Sequence, residues 1–97
     1  MSEQKLCDAI KRKKQVNILY KGQIRKINPH LLGINTKGNE SLRAFQVGGY
    51  SESGNVPSWR LYLINEIESV QILDTGFETN PMYNRDDKGM VKIICRI

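Results

Sequence analysis

The chain has 97 residues, 39% of them apolar and 26% charged, which is the composition of one soluble globular domain able to fold without further staples. Its apolar runs are only a few residues long, so the composition excludes membrane-spanning helices. The formal net charge of +5 is concentrated in residues 1–37, which hold nine Lys and Arg against two Asp and Glu. This asymmetry favours a polyanionic partner, although a basic run is also typical of a merely solvated face.

Residues 1–14 are predicted to form one N-terminal helix. Leu6, Ala9 and Ile10 fall on one helical stripe together with Cys7, and basic residues crowd the C-terminal end, where cations suit the helix dipole.

The two cysteines, Cys7 and Cys95, lie far apart in the chain, and each sits among apolar residues. We predict that both are small core side chains and that the protein resides in a reducing cytoplasm. The polar, basic start of the chain is also unlike a secretory signal, which needs an apolar segment after its first charges.

A change to an apolar period of two at Gln15 predicts strands. Residues 16–20 and 24–28 are predicted to pair as a hairpin around the turn at residues 21–23. Pro29 cannot donate a ladder hydrogen bond, so we expect it to mark the end or the edge of the second strand.

The rest of the chain continues as short strands. We predict strands at residues 30–35, 41–50, 59–64, 66–73 and 90–97, with a bulge or bend at Gly48-Gly49, a loop at 51–58 and a connection at 74–89. The strands 59–64 and 66–73 are either separate or joined through a bend at Asn65-Glu66. The predicted fold is therefore a single mainly β (α+β) domain. It comprises the helix, a small Sm-like or SH3-like β-barrel or strongly bent antiparallel sheet over residues 15–73, and a connection with a C-terminal strand over residues 74–97.

The sequence contains no pattern typical of a catalytic or metal site, and we predict no enzyme activity, no metal and no cofactor. One histidine and two distant cysteines are too few for a zinc site, and no nucleophile elbow occurs. The pair Asp86-Asp87 resembles a metal-dependent nuclease motif, but neighbouring strand residues point to opposite faces and the surroundings predict a solvated turn.

Three arginines, Arg25, Arg43 and Arg60, project from otherwise apolar strand faces. One interpretation is a shallow basic pocket with aromatic walls such as Tyr20 and Trp59, because arginine binds phosphate and aromatic rings stack on bases. The other is that the arginine stems pack on the sheet while their heads reach water or pair with acidic residues. Parity and proximity add Gln46 and Ser51 to the candidate pocket, and His30 is either a core or edge histidine or a polar member of it.

The order of motifs over residues 4–77 resembles the WYL domain of bacterial regulators. After the helix, the motifs that carry the resemblance are Val16-x-Ile18-x-Tyr20, Arg25-x-Ile27-x-Pro29-x-x-Leu32, the strand Leu42–Gln46 and Arg60-x-Tyr62-x-Ile64-Asn65-x-Ile67. The chain departs from the family in three ways: Ser41-Leu42-Arg43 replaces the Trp-Tyr-Leu triplet, Leu63 and Glu66 replace two arginines, and no helix-turn-helix is present.

The resemblance implies a small barrel that binds nucleic acid or a nucleotide-type ligand and regulates a partner, in transcription, phage defence or CRISPR systems. Its motifs carry ligand-binding roles over to Tyr20, Arg25, Pro29 and Arg60.

Together these observations predict a bacterial or phage sensor or accessory regulatory module that binds single-stranded nucleic acid or a nucleotide-type anion. The alternative is a protein-interaction module that docks on a partner enzyme or on a second copy through an exposed strand and the segment 74–89.

Overall fold

The computed structural model describes residues 2–51, 54 and 56–97. In that part of the chain the elements are helix α1 (Ser2–Arg12) and strands β1 (Lys14–Tyr20), β2 (Gln23–Asn35), β3 (Glu40–Gly49), β4 (Ser58–Leu63), β5 (Ile67–Gly76) and β6 (Met90–Arg96), with a 3-10 turn (Ile64–Glu66) between β4 and β5. This confirms the predicted mainly β domain with one N-terminal helix. Of the two architectures we expected, the structure has the strongly bent antiparallel sheet, which does not close into a barrel.

The long strand β2 organises the sheet. Its first half pairs with β1 and its second half with β6, while β3 pairs along most of its length. The order β4-β3-β2-β1-β5 then leaves β4 and β5 at the two edges. Because β2 changes its partner halfway along, the sheet wraps around a central core instead of lying flat.

Two irregularities in the β2–β3 pairing bend this sheet, since a β-bulge adds a residue to one strand and increases its local twist. The first lies next to the predicted Gly48-Gly49 pair: Lys26 pairs with Gly48 but Ile27 pairs with Gln46, so Val47 is the extra residue. Gly49 has a φ of +81°, and a Cβ atom there would approach the carbonyl oxygen of Ile24 to 2.5 Å, so this position requires glycine.

The second irregularity corrects the prediction at Pro29. Strand β2 does not end there: Pro29 is buried opposite Ala44, and the register shifts immediately afterwards, before Leu31. The bulge accommodates a residue that has no N–H group. The predicted short strand 30–35 is therefore the second half of β2.

The core lies between α1 and the concave side of the sheet, which we call the inner face. Leu6, Ala9 and Ile10 of α1 are fully buried, as their helical stripe predicts. They pack with fully or almost fully buried sheet residues, including Val16, Ile18, Ile27, Leu32, Leu42 and Tyr62. Burial of each large apolar side chain contributes about 1.5–3 kcal/mol to folding, so this cluster supplies the main drive to the bent shape.

The prediction that the two cysteines are separate core side chains is wrong. Cys7 of α1 and Cys95 of β6 form a disulfide, with Cα atoms 5.8 Å apart, and both pack against the core. The sequence separation of 88 residues hid this proximity, which arises because α1 and β6 lie next to each other in the fold.

Residues 77–89 cross the convex side of the sheet, which we call the outer face. The ring of Phe77 and that of Tyr83 both contact the ring of His30, and Asp87 pairs with Arg43. The predicted connection is thus packed against the sheet.

No helix in the described ranges is long and apolar enough to cross a membrane.

Candidate ligand-binding site

The nine predicted site residues are divided between the two faces of the sheet. In the β3–β4 register Ala44 lies opposite Arg60, whereas Phe45 lies opposite Trp59. Residues that face each other share a side, and neighbours alternate, so Arg60 projects to the inner face and Trp59 to the outer face. Arg43 is also on the outer face. The three arginines therefore do not form the single pocket that we predicted.

Five of the predicted residues do come together, at one end of the bent sheet, where Tyr20, Arg25 and Gln46 are almost fully buried. With Tyr62 they form what we call the mouth network: Tyr20, Arg25, Gln46, Ser51, Arg60 and Tyr62. The bulge at Val47, next to Gly48-Gly49, and the antiparallel pairing of β1 with β2 bring these side chains from four strands and one loop to the same place.

Gln46 is the centre of the mouth network. Its Nε2 donates to the carbonyl oxygens of Gly48 and Tyr50, at 3.1 and 2.7 Å. Its Oε1 accepts from the Tyr62 hydroxyl at 3.0 Å and from Arg60 Nε at 3.5 Å. The buried carboxamide therefore holds the β3 end and the Arg60 guanidinium in one arrangement.

Arg60 is held further by Ser51, whose Oγ accepts a hydrogen bond from Arg60 Nη2 at 2.7 Å. Ser51, which we predicted as a member of the ligand pocket, therefore positions an arginine in this structure.

Arg25 has the most unusual surroundings in the mouth network. Its side chain is only 6% exposed, and its buried Nε and Nη2 have no hydrogen-bond partner among the residues that the structure describes. The guanidinium lies against the rings of Tyr20 and Tyr50, at 5.0 and 5.5 Å from their centroids. Cation–π contacts recover part of the cost of burying the charge, but two donors remain without an acceptor. This geometry suits an incoming anion.

The tyrosines of the mouth network stay protonated at neutral pH. Burial raises the pKa of Tyr62 to about 12, against the opposing charges of Arg25 and Arg60. Burial likewise raises the pKa of Tyr20 above its ordinary value of 10.0, against the lowering effect of the Leu63 N–H. Both hydroxyls therefore remain donors.

The Tyr20 hydroxyl also connects β1 with the end of the edge strand β4 and with the 3-10 turn that follows it. It donates to Glu66 Oε2 at 3.0 Å and accepts from the backbone N–H of Leu63 at 3.2 Å. Through these contacts the end of β1 is tied to the end of β4.

On the outer face, His30 is a core histidine, as one of the two interpretations predicted. It is fully buried, and the rings of Trp59, Phe77 and Tyr83 surround it at centroid distances of 4.8, 5.1 and 5.1 Å. Its Nε2 accepts from the backbone N–H of Asn80 at 3.1 Å, so the proton is on Nδ1, which lies 2.8 Å from the carbonyl oxygen of Asn28. Burial lowers the pKa of His30 below its ordinary value of 6.5, which keeps the ring neutral.

Arg43 follows the alternative interpretation, in which an arginine pairs with an acidic residue. Its Nε donates to Asp87 Oδ2 at 2.8 Å, and Asp87 Oδ1 accepts from the Gly89 N–H at the same distance. Asp86 is exposed and lies 3.8 Å from Arg96. The two aspartates thus belong to a turn, and they do not converge as metal ligands.

Two members of these clusters were missed by the sequence analysis. Tyr50 approaches Arg25 because the bulge redirects the end of β3, and the Gly48-Gly49 pair was the available signal. Asp87 was assigned to a solvated turn, and nothing local to it indicates a partner 44 residues away.

No protein-family model, no curated protein and no solved structure matches the chain. Within residues 2–51, 54 and 56–97, no group of three or more His, Cys, Asp or Glu side chains is placed to hold a metal ion.

Proposed function

We propose that the protein is a regulatory binding module whose mouth network takes the phosphate of single-stranded nucleic acid or of a nucleotide. The observation that carries the proposal is Arg25, a buried guanidinium with two donor atoms that have no acceptor within residues 2–51, 54 and 56–97. A phosphate oxygen would satisfy these donors by charge-assisted hydrogen bonds, which are the strongest kind that a protein side chain makes.

The surroundings of Arg25 favour a nucleotide over a bare inorganic anion. Tyr50 is 44% exposed while its ring lies against the guanidinium, so an aromatic surface is accessible next to the phosphate position. Bases stack on such rings with little dependence on sequence. Lys21, whose Nζ lies 5.7 Å from the centroid of the Tyr20 ring, adds positive charge next to this position.

The resemblance to the WYL domain supports the same proposal, because Tyr20, Arg25 and Arg60 are three of the four residues that its motifs carry over. The remaining residue, Pro29, lies in the core opposite Ala44 and has a structural role. We propose a sensor or accessory regulator with no catalytic activity of its own.

The test compares Arg25→Met with Arg43→Met. Both changes remove one guanidinium and keep an unbranched apolar stem, but only the first lies in the mouth network. Binding of a labelled oligothymidine and of ATP is measured over a range of salt concentrations. We expect Arg25→Met to weaken binding about tenfold or more and to reduce the slope of log K against log salt by about one, since each phosphate contact releases about one counterion.

Arg43→Met is expected to bind like the original chain. Removal of a poorly partnered buried charge does not destabilise a fold in the way that breaking an ion pair does, so Arg25→Met should remain folded. If both variants bind equally well at every salt concentration, the proposed site is wrong.

The cytoplasmic location predicted from the sequence is part of this proposal, and the disulfide between Cys7 and Cys95 bears on it. Structural disulfides persist in oxidising compartments and are rare in the cytosol. Alkylation of thiols in intact cells provides the test. Two alkylated cysteines per chain would support a cytoplasmic location, and a disulfide-bonded chain would contradict it.

A second candidate function is self-association, supported by apolar side chains in the regions that the sequence analysis indicated. Leu61 of the edge strand β4 is 38% exposed, and Met82 in the segment after β5 is 80% exposed. Edge strands pair readily with other chains. Light scattering without nucleic acid tests this: a stable dimer that Leu61→Lys converts to a monomer supports it, and a monomer at all concentrations contradicts it.

A further inference from the structure

The outer face carries a cavity, separated from the mouth network by the sheet. It has a volume of about 210 Å³ and is lined by Arg43, Trp59, Met82, Tyr83, Asn84 and Asp87. We propose that this outer pocket binds one planar nitrogen heterocycle of purine size. This site is independent of the phosphate site proposed above.

The volume restricts the occupant. Pockets for drug-sized ligands span about 300–1,000 Å³, so a cavity of 210 Å³ takes a single ring system and leaves the rest of any larger ligand outside. Met82 stands at the rim, 80% exposed, and its flexible thioether adapts to a flat ring that enters beside it.

The walls of the outer pocket are held in place before any ligand arrives. The segment that carries Tyr83 and Asn84 is fixed at one end by the Asn80 N–H, which donates to His30 at 3.1 Å. At its other end Asp87 pairs with Arg43 at 2.8 Å. A preformed site loses little entropy when it binds a small ligand.

The aromatic walls suit a flat ring. The rings of Trp59 and Tyr83 are inclined by only 28°, with centroids 6.4 Å apart, and both border the cavity. An aromatic heterocycle that lies against them gains stacking as well as burial of apolar surface.

The polar groups favour a heterocycle over a hydrocarbon. The Tyr83 hydroxyl is buried and has no hydrogen-bond partner in the described structure, and burial raises its pKa above the ordinary value of 10.0, so it keeps its proton to donate. A ring nitrogen is the acceptor that it lacks. The exposed Asn84 lines the same cavity; its Oδ1 accepts from the Asp86 N–H at 3.0 Å, and its Nδ2 can donate to a second purine nitrogen.

The charges disfavour a cation, which is the usual ligand of aromatic pockets that also contain a carboxylate. Here the carboxylate of Asp87 is already paired with Arg43, and the positive charges of Arg85 and Arg96 act on Tyr83. A quaternary ammonium ion would therefore meet a net positive environment.

The test uses the fluorescence of Trp59, the single tryptophan of the chain, excited at the red edge of its absorption where purines do not absorb. Adenosine, which carries no phosphate, is titrated against the intact chain, with choline and inorganic phosphate as parallel ligands. We expect a saturable change with adenosine and a dissociation constant on the order of 1 mM, as suits a fragment of about ten ring atoms. Neither choline nor phosphate should cause a saturable change.

Variants then locate the site. Tyr83→Phe removes only the hydroxyl and should weaken adenosine binding about fivefold, the value of one hydrogen bond. Asn84→Ala, at an exposed position, should also weaken it. The matched change Tyr50→Phe on the other face, and Arg25→Met, should leave it unchanged.

Adenosine binding that is equal in Tyr83→Phe, Asn84→Ala and the original chain would overturn the inference, as would stronger binding of choline. A loss of adenosine binding in Arg25→Met would also overturn it, since that result would place the ring at the mouth network. Because adenosine carries no phosphate, failure of this test leaves the proposal for Arg25 standing, and failure of that proposal leaves this one standing.

Discussion

Replacement of Cys7 and Cys95 by serine removes the covalent link between α1 and β6. In the oxidised chain the disulfide closes a loop across 88 residues, and it restricts the unfolded state far more than the folded one. The loop-closure relation gives about 4.6 kcal/mol of stabilisation at 25 °C for a loop of this length. A domain of this size has a free energy of unfolding of about 5–15 kcal/mol, so the loss is a third of the total or more.

The assay is urea unfolding followed by Trp59 fluorescence, for the oxidised chain, for the same chain reduced by a dithiol, and for the doubly substituted chain. We expect the free energy of unfolding to fall by about 4–5 kcal/mol on reduction, and Tm to fall by about 20–35 °C. The slope m should rise, because the reduced chain exposes more surface when it unfolds.

The doubly substituted chain is the control for the reductant, since a dithiol has nothing to reduce in it and should leave its midpoint unchanged. Equal midpoints for the oxidised and reduced forms of the original chain would refute the reasoning. That result would mean that the disulfide does not restrict the unfolded chain enough to change the free energy of unfolding.

The remaining predictions concern buried polar groups. Because burial lowers the pKa of His30 below 6.5, folding favours the neutral ring, and stability should be full above pH 6.5 and decline as pH falls below it. Burial raises the pKa of Glu40 above 4.5, and the neighbouring Glu3 carboxyl raises it further. The ionised form of Glu40 therefore opposes folding, and stability is lost as pH rises above 4.5. Glu40→Gln should stabilise the chain at pH 7 by up to about 1 kcal/mol. Tyr20→Phe removes the hydroxyl that ties β1 to β4 and should cost about 1–3 kcal/mol in urea unfolding.

His30 makes stability fall as pH decreases, whereas Glu40 makes stability fall as pH increases. The effect of His30 is therefore measured in a chain that lacks the Glu40 carboxyl. The acid-side decline from His30 is measured between pH 7.5 and 5.5 in the Glu40→Gln background, where a flat profile would contradict it. Glu68→Gln, at an exposed position, is the matched control for Glu40→Gln, and equal Tm values for the two would contradict that prediction. The control for Tyr20→Phe is Tyr50→Phe. Equal free energies of unfolding for these two variants would contradict the prediction for Tyr20.

Local patterns in the sequence were sufficient for much of the fold. The helical stripe of Leu6, Ala9 and Ile10 and the alternation over residues 16–20 are properties of neighbouring residues, and they predicted α1 and the β1–β2 hairpin. The same parity predicted that Arg25 shares the face of the buried Ile27. Hence the residue that carries the proposed function was found from the sequence.

The pairing between distant strands was beyond those patterns. Parity states that Trp59 and Arg60 point to opposite faces, but it does not say which of them shares a face with Arg43. That choice depends on the β3–β4 register, and the loop that joins these strands is too long for turn geometry to set it. A shift of one residue exchanges the two faces.

The sequence by itself therefore predicted most elements of this protein, apart from the continuous β2, and the parity of each arginine within its own strand. Only the tertiary structure decided which strand faces combine. It joined Arg25 and Arg60 at the mouth network, placed Arg43 with Asp87 on the outer face, and brought Cys7 to Cys95. The physical reason is that helix and strand periodicity act over a few residues, whereas contacts across 44 or 88 residues arise from packing of the whole chain around one core.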